Sequence, residues 1–319
     1  MCDFMQGITA EQEESMAKTI SFMAKTGMGT DACLRHKCLP LRVYYCSPVP
    51  DIADLERRKY FSYRSKLPGI FWREEEQLAF LARLGNMYGR ECDWPMGSTN
   101  VPYQYYTENN SFGYGCAAGL HCIIRYLRPR RIIEIGSGFS SLVISSALGM
   151  NKTPETEYII IDPYPQPVVN SLPLVTQHIK QRVELLDVEF FESLEKNDVL
   201  FIDSGHTVRI GGDVNYLILE VLPRLAPGVA VHFHDIPMPN EYSEDYFKNP
   251  KFRVFWTESY LLQAFLCFNS QYEILLTMTY LMTERKEEFS SAFEHYNSEK
   301  HRAISSSFWI RRKIESLGA

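Results

Sequence analysis

Two short segments concentrate the side chains that can move protons or hold a metal ion. An apolar run, Val199–Ile202, ends in Asp203-Ser204-Gly205-His206, and a second runs through Val231-His232-Phe233-His234-Asp235. Imidazole titrates near neutrality, so His206 or His234 can act as a general base, with Asp235 beside them as a third catalytic candidate. Alternatively Asp203, His234 and Asp235 can hold a divalent cation that lowers the pKa of a bound hydroxyl. Plainer readings stand beside these. His206 can be a loop residue, and Asp235 can start the turn before Pro237. His232 shares a strand face with His234 but lies deeper, as a core histidine would.

A third segment, residues 130–148, reads RRIIEIGSGFSSLVISSAL: an apolar strand, then Gly136-Ser137-Gly138, then a helix. Glycines let the backbone turn sharply and approach a ligand closely, and the following helix start offers free N–H groups. A dinucleotide site prefers a further glycine where this chain has Ser141, and Glu134 sits poorly beside a pyrophosphate. An acid at 134 can instead meet a cationic amino-acid end, directly or through water. Asp162, closing the strand-like IIID, can accept from ribose hydroxyls, and Asp187, after VELL, can accept from an adenine amine. The cofactor-binding candidates are therefore Glu134, Gly136, Ser137, Gly138, Asp162, Asp187 and Asp203. They favour S-adenosylmethionine over NAD; an NAD-dependent Rossmann oxidoreductase is the alternative enzyme, and a non-catalytic cofactor-binding protein the alternative outside catalysis.

These groups need a frame that brings strand ends together. From about residue 113 the pattern alternates: a helix over Gly115–Leu127, strands at Arg131–Ile135, Tyr158–Ile161, Val183–Leu186, Val199–Ile202 and Val229–Phe233, and late strands at Tyr272–Leu276 and Ser307–Ile310. Helices are expected over Ser140–Leu148, between Pro167 and Ile179, over Asp213–Leu222 and over Thr257–Phe268. Such alternation means an α/β fold with a doubly wound, mostly parallel sheet, whose ligands bind beyond the carboxyl ends of the strands. Before it come a helix at 9–26, a strand-like Leu41–Cys46, an amphipathic helix at 73–89, and an aromatic loop carrying Tyr103, Tyr105, Tyr106, Phe112 and Tyr114, a candidate lid. The expected division is an N-terminal, mainly helical cap at 1–110 and the sheet domain at 111–319.

The segments Tyr44-Tyr45-Cys46-Ser47-Pro48-Val49-Pro50-Asp51, Glu134–Ser141, Phe201–His206 and Val231–Ile236, with the late SSSFWIRR at 305–312, resemble those of the class I S-adenosylmethionine-dependent methyltransferases, in particular a bacterial-type small-molecule subfamily. The resemblance covers roughly residues 40–319. It implies a Rossmann-like sheet of seven strands with an antiparallel last strand, S-adenosylmethionine as methyl donor, and an activity of class EC 2.1.1.-. Some members place acidic metal ligands at the same two strand ends. An oxygen nucleophile suits the histidines; the acceptor itself, the divalent metal and the oligomeric state stay open.

Composition narrows the partners. The 319 residues carry a formal net charge of -6 and only short basic clusters, which disfavours nucleic acid and anionic membranes. No apolar run approaches membrane-spanning length, and Met1-Cys2-Asp3-Phe4 does not open a secretory signal, so a cytoplasmic enzyme of small molecules is expected. The eight cysteines form no C-x-x-C pair; Cys33 and Cys38 flank His36 without a fourth ligand at finger spacing.

Overall fold

The computed structural model describes residues 8–151, 156–249, 253–301 and 305–314. The chain divides into two compact units, residues 1–63 with 243–255, and residues 64–242 with 256–319. In the smaller unit, α1 (Ala10–Thr26) starts at Thr9, which forms a reciprocal capping box with Gln12, and ends at Gly27, with φ at 74°. None of its residues is buried. Short helices α2 (Thr30–Arg35) and α3 (Ile52–Arg57) follow, the latter capped by Asp51. The expected strand Leu41–Cys46 does not form. Ser47 N–H bonds back to the Tyr44 carbonyl in a turn, and Leu41, Val43, Tyr44 and Tyr45 are exposed. A β-rich stretch hemmed by Pro40 and Pro48 has no ladder partner there, and without one it is not a strand.

The larger unit opens with α4 (Glu74–Tyr88), then α5 (Tyr114–Leu127), β1 (Arg131–Ile135), α6 (Phe139–Asn151), β2 (Glu157–Ile161), β3 (Gln177–Ile179), β4 (Val199–Ile202), α7 (Asp213–Asn215, continuing as a π-helical segment over Tyr216–Val221), β5 (Ala230–Phe233), α8 (Glu258–Leu266), β6 (Tyr272–Thr277), α9 (Met278–Glu284), α10 (Lys286–Ala292) and β7 (Phe308–Arg312). The seven strands order as β3-β2-β1-β4-β5-β7-β6, with β7 antiparallel to both neighbours and β3, β2, β1, β4 and β5 parallel. Both faces are apolar because both are covered. Ile132, Tyr158, Ile160, Phe201 and Trp309 pack towards α5 and α6, while Ile133, Ile159, Leu200 and Val231 pack with Val214, Leu217 and Leu262.

Two expectations around β3 are corrected. The stretch from Pro167 to Ile179 carries no α-helix, only a 3-10 turn at Val169–Ser171, because Pro165, Pro167 and Pro173 remove donors and block helical neighbours. Val183–Leu186 is not the third strand; it begins as a 3-10 turn at Val183–Leu185, and the strand is Gln177–Ile179, paired with Ile159 and Ile161 of β2. A run as short as VELL fits either a strand or a buried turn, and Val183 is indeed buried.

The larger unit also reaches back to Arg64, not to residue 111. Helix α4 is part of it by contact: Thr277 Oγ1 on β6 donates to Gln77 Oε1 at 2.7 Å, and Arg285 pairs with Glu74. A Cβ on Gly85 would stand 2.5 Å from the Ala292 carbonyl oxygen, so α4 and α10 pack with backbones nearly touching. Leu81 and Leu84 are fully enclosed. Leu84→Ala is expected to lower the unfolding free energy by about 2–5 kcal/mol, as large-to-small core changes do; urea unfolding reads this, and a loss below 1 kcal/mol would place α4 outside the cooperative unit.

Candidate active site

The site grows from the carboxyl edge of the sheet. Ile161, Ile135, Ile202 and Phe233 are paired across β2, β1, β4 and β5. The next residue on each strand, Asp162, Gly136, Asp203 and His234, still donates its backbone N–H to a neighbouring strand, at 3.1, 3.0, 2.9 and 2.9 Å. Four of the residues singled out in the sequence therefore stand side by side. Gly136 adopts φ of 76°, and a Cβ there would lie 1.9 Å from the Asp203 carbonyl oxygen, so glycine is required by both conformation and space. Gly138 differs: its would-be Cβ meets only Gln166 Nε2, at 4.0 Å. The room in front of Gly138 suits a ligand approaching the backbone. Ser137 Oγ donates to Asp162 Oδ2 at 2.6 Å, and Tyr164 N–H donates to Oδ1 at 2.7 Å, fixing the Asp162 carboxylate with lone pairs to spare.

Two of the cofactor candidates sit elsewhere. Glu134 is fully buried on the face towards α6, where Ser140 Oγ donates to it at 2.7 Å and Tyr158 donates to its other oxygen. Burial outweighs these bonds and pushes its carboxyl up to about 7. Asp187 does not close a strand; it is exposed and precedes the 3-10 stretch Val188–Ser193, next to the Leu186 carbonyl that accepts from Tyr216.

Beyond β4 and β5 the ionisable groups converge. His206 Nε2 lies 3.2 Å from Asp203 Oδ1 and 3.7 Å from Asp235 Oδ2. His234 Nδ1 lies 3.6 Å from Asp203 and 3.4 Å from Asp235, and its Nε2 is 3.6 Å from Cys116 Sγ. Among the described residues, one group offers a metal ion three ligand atoms within 4.8 Å of one another: Asp203, His206 and Asp235. The expected set named His234 in place of His206. The chain's return after β4 carries His206 back over the strand end in a left-handed conformation, φ 53°, and Asp235 shares that conformation at φ 56°. Holding a non-glycine residue there costs on the order of 1–2 kcal/mol.

The electrostatics follow from crowding. Burial pulls both imidazoles down, but the facing carboxylates outweigh it, holding His206 at about 10 and His234 well above its ordinary value. Burial works against the charge of Asp203 too, yet the imidazoles hold its carboxyl below the usual range; about a third of its side chain, 32%, stays open to solvent. His232 belongs to none of this. Its ring stacks on Phe201 at 4.0 Å, its Nε2 lies 2.8 Å from Ser307 Oγ, and burial drives it well below its ordinary value.

The structure adds residues that sequence reasoning missed. Glu258 Oε2 is 2.8 Å from His206 Nδ1, Ser306 Oγ donates to Asp235 Oδ1 at 2.8 Å, and Trp256 lies 4.6 Å from the His206 ring. Ser305–Ser307 reach the site because β7 lies beside β5, a placement the serine run itself does not announce. Of the aromatic loop, Tyr105, Phe112 and Tyr114 are core residues, with Asn109 pinning the turn through bonds to Ser111 and Phe112. Phe112 still faces His234 at 5.1 Å, and Tyr106 meets Phe139, at the start of α6, at 5.2 Å.

Residues 133–236 match the family model described as a methyltransferase domain, and they span β1 through the turn after β5. With the sheet order above, that match decides the family. The chain belongs to the class I methyltransferases. A protein of Archaeoglobus fulgidus, described as uncharacterized, is 36% identical to this methyltransferase over 165 residues, which span 48% of this chain and 73% of that protein. Among solved structures, the O-methyltransferase TomG from Streptomyces achromogenes, in complex with SAM, is 14% identical, covering 83% of this chain and 97% of its own at a TM-score of 0.38. The SAH-bound methyltransferase PaMTH1 from Podospora anserina is 14% identical, covering 85% and 100%, with a TM-score of 0.40. No described helix of the methyltransferase is long and apolar enough to cross a membrane.

Glu134 makes a pH prediction for this fold. Its folded pKa, about 7, lies above the ordinary 4.5, so the folded chain holds the proton more tightly. The stabilisation is present at low pH and is lost as pH rises through 7, on the order of 3 kcal/mol in all. Urea unfolding of the wild type and of Glu134→Gln between pH 4 and pH 8 is expected to show that slope in the wild type and its absence in the variant. Equal slopes would mean that the buried carboxyl is already charged at low pH.

Proposed function

We propose that this methyltransferase transfers the methyl group of S-adenosylmethionine to an oxygen nucleophile of a small-molecule acceptor, which is deprotonated beside a divalent cation held by Asp203, His206 and Asp235. One observation carries the reading: those three side chains converge at the ends of β4 and β5, immediately beside the Gly136 turn.

The donor fits the glycine side of the edge. Gly136, Ser137 and Gly138 let the backbone approach the methionine portion, and the Asp162 carboxylate, held by Ser137, accepts from the ribose hydroxyls. Asp187 is free to reach the adenine amine from the exposed stretch after β3. Glu134, enclosed by Ser140 and Tyr158, supports the turn from beneath.

The donor set also fits a cation. Asp203 and Asp235, with Glu258 behind His206, place several carboxylates around imidazoles that are cationic at neutral pH when nothing else neutralises the acids. A divalent cation supplies that positive charge and lowers the pKa of a hydroxyl bound to it. His206 then presents Nε2 as a neutral ligand, and His234 stays close enough to receive the acceptor's proton. Phe112 faces His234 and Tyr106 meets Phe139, both from the aromatic loop, which packs in the larger unit. The net charge of -6 suits a small acceptor better than nucleic acid.

Removing the Asp162 acceptor is expected to weaken S-adenosylmethionine binding tenfold or more, since a lost charge-assisted hydrogen bond costs about 1.5–3 kcal/mol. Calorimetry on Asp162→Ala measures it, and unchanged affinity in a folded variant would reject the ribose role. Chelation is expected to abolish turnover, and Mg²⁺ or Mn²⁺ to restore it. The Glu258–His206 pair favours one other outcome. If turnover survives EDTA, His206 is the base, and His206→Ala lowers the rate about 10²–10⁴-fold with donor binding retained.

A further inference from the structure

The residues proposed to touch the donor or the cation all lie between Gly136 and Asp235. The segment Trp256-Thr257-Glu258, which leads into α8, lies outside the stretch that matches the methyltransferase domain, yet it grips His206 from several sides. The N–H groups of Thr257 and Glu258 both donate to the His206 carbonyl oxygen, at 2.9 and 3.1 Å. Val208 N–H donates to Thr257 Oγ1 at 2.7 Å. Trp256 lies against the imidazole ring, and Glu258 Oε2 meets Nδ1 at 2.8 Å.

We propose that Glu258 is the positioning residue of this site: its carboxylate keeps a proton on His206 Nδ1, which leaves Nε2 to face Asp203 and Asp235. Several features converge on this. Glu258 is 1% exposed, which a carboxylate tolerates only when it is paired. Its other oxygen, Oε1, finds no hydrogen-bond partner among the described residues, so the bond to His206 is where its hydrogen-bonding capacity is used. His206 holds a left-handed backbone conformation that its own sequence does not favour, and the start of α8 supplies the two N–H donors that hold its carbonyl there. Only Nε2 points to the group of ligand atoms, so the tautomer and the ring angle decide whether the group has three members or two. Helix α8 thus makes the metal-ligand set depend on a part of the chain far along the sequence from either strand end.

The inference rests on the cation reading for one of its readouts and not for the other. In the first, Mn²⁺ is titrated into the full-length protein by calorimetry. Glu258→Ala is expected to weaken Mn²⁺ about 10–100-fold, as loss of an outer carboxylate partner does. Glu258→Gln, whose amide oxygen can still accept from Nδ1, is expected to stay within a few-fold of wild type, and S-adenosylmethionine affinity is expected to hold in both. In the second, ¹H–¹⁵N NMR of the metal-free protein is expected to show the His206 Nδ1 proton, hydrogen-bonded and slow to exchange with water, in the wild type and in Glu258→Gln, and to lose it to exchange in Glu258→Ala. Wild-type Mn²⁺ affinity in Glu258→Ala, or a bare Nδ1 in the wild type, overturns the proposal. A wild-type protein that ignores Mn²⁺ sinks the cation reading alone, and the proton on Nδ1 still decides the role of Glu258. Should Glu258→Ala not fold, the wild-type and Glu258→Gln spectra decide it, and a bare Nδ1 in either overturns it.

Discussion

The contact between the Gly136 turn and the Asp203 carbonyl sets where the rest of the site can be. No side chain fits between them, since a Cβ on Gly136 would overlap that oxygen. The backbones of the turn after β1 and of the β4 end are therefore as close as parallel strands allow, and Asp203 N–H completes the approach by donating to Ile135. From this junction the donor side extends to Ser137 and Asp162, and the acid-and-imidazole side extends to His206, His234 and Asp235. A substitution at 136 would move both sides at once, because each is built on one wall of the same contact.

The second constraint is charge. Asp203, Asp235 and Glu258 surround His206 and His234 in a region where Asp203 and, to a lesser extent, Asp235 keep access to water and the other three are buried. Buried acids and bases hold each other's charge, and breaking one partner leaves an uncompensated ion at a large energetic penalty. The left-handed residues His206 and Asp235 add strain, and hydrogen bonds offset it: the start of α8 binds the carbonyl of His206, and Ser306 binds the carboxylate of Asp235. The segments that lead into α8 and into β7 thus hold the two strained residues, which keeps their side chains converged.

Polar groups in the core answer to the same accounting. Glu134, Phe201, His232 and Trp309 form a cross-strand row on one face of the sheet. Glu134 is satisfied by Tyr158 and Ser140, and Nε2 of His232 by Ser307, while its Nδ1 finds no partner among the described residues. The glutamate of this row looks like a site residue in the sequence because strand alternation places it two positions from the carboxyl edge, whereas His232 already reads there as a core histidine. Depth separates them: the edge is reached at Gly136 and His234, and the row lies a step below it.

Local pattern determined most of the frame. Alternating apolar runs and helices gave the α/β class, and the residues just past β1, β2, β4 and β5 were legible as candidate ligand positions because ligands of such sheets bind beyond the carboxyl ends of the strands. The antiparallel β7 came from resemblance, not from its own five residues. The third strand, its expected end at Asp187 and the proline-interrupted stretch before it were misplaced because short apolar runs do not distinguish strand from turn without a pairing partner. Helix α4 was assigned outside the sheet domain because amphipathicity shows that a face is buried and not what it is buried against; Gly85 against Ala292 settles that. Tertiary structure alone brought the His206 imidazole back beside Asp203 and Asp235, placed Glu258 and Trp256 against it and Ser306 on Asp235, and set Cys116 against His234. A sequence displays what each segment can do by its own period. Which distant side chain meets which strand end depends on strand order and loop return, and those are fixed only when the whole core packs.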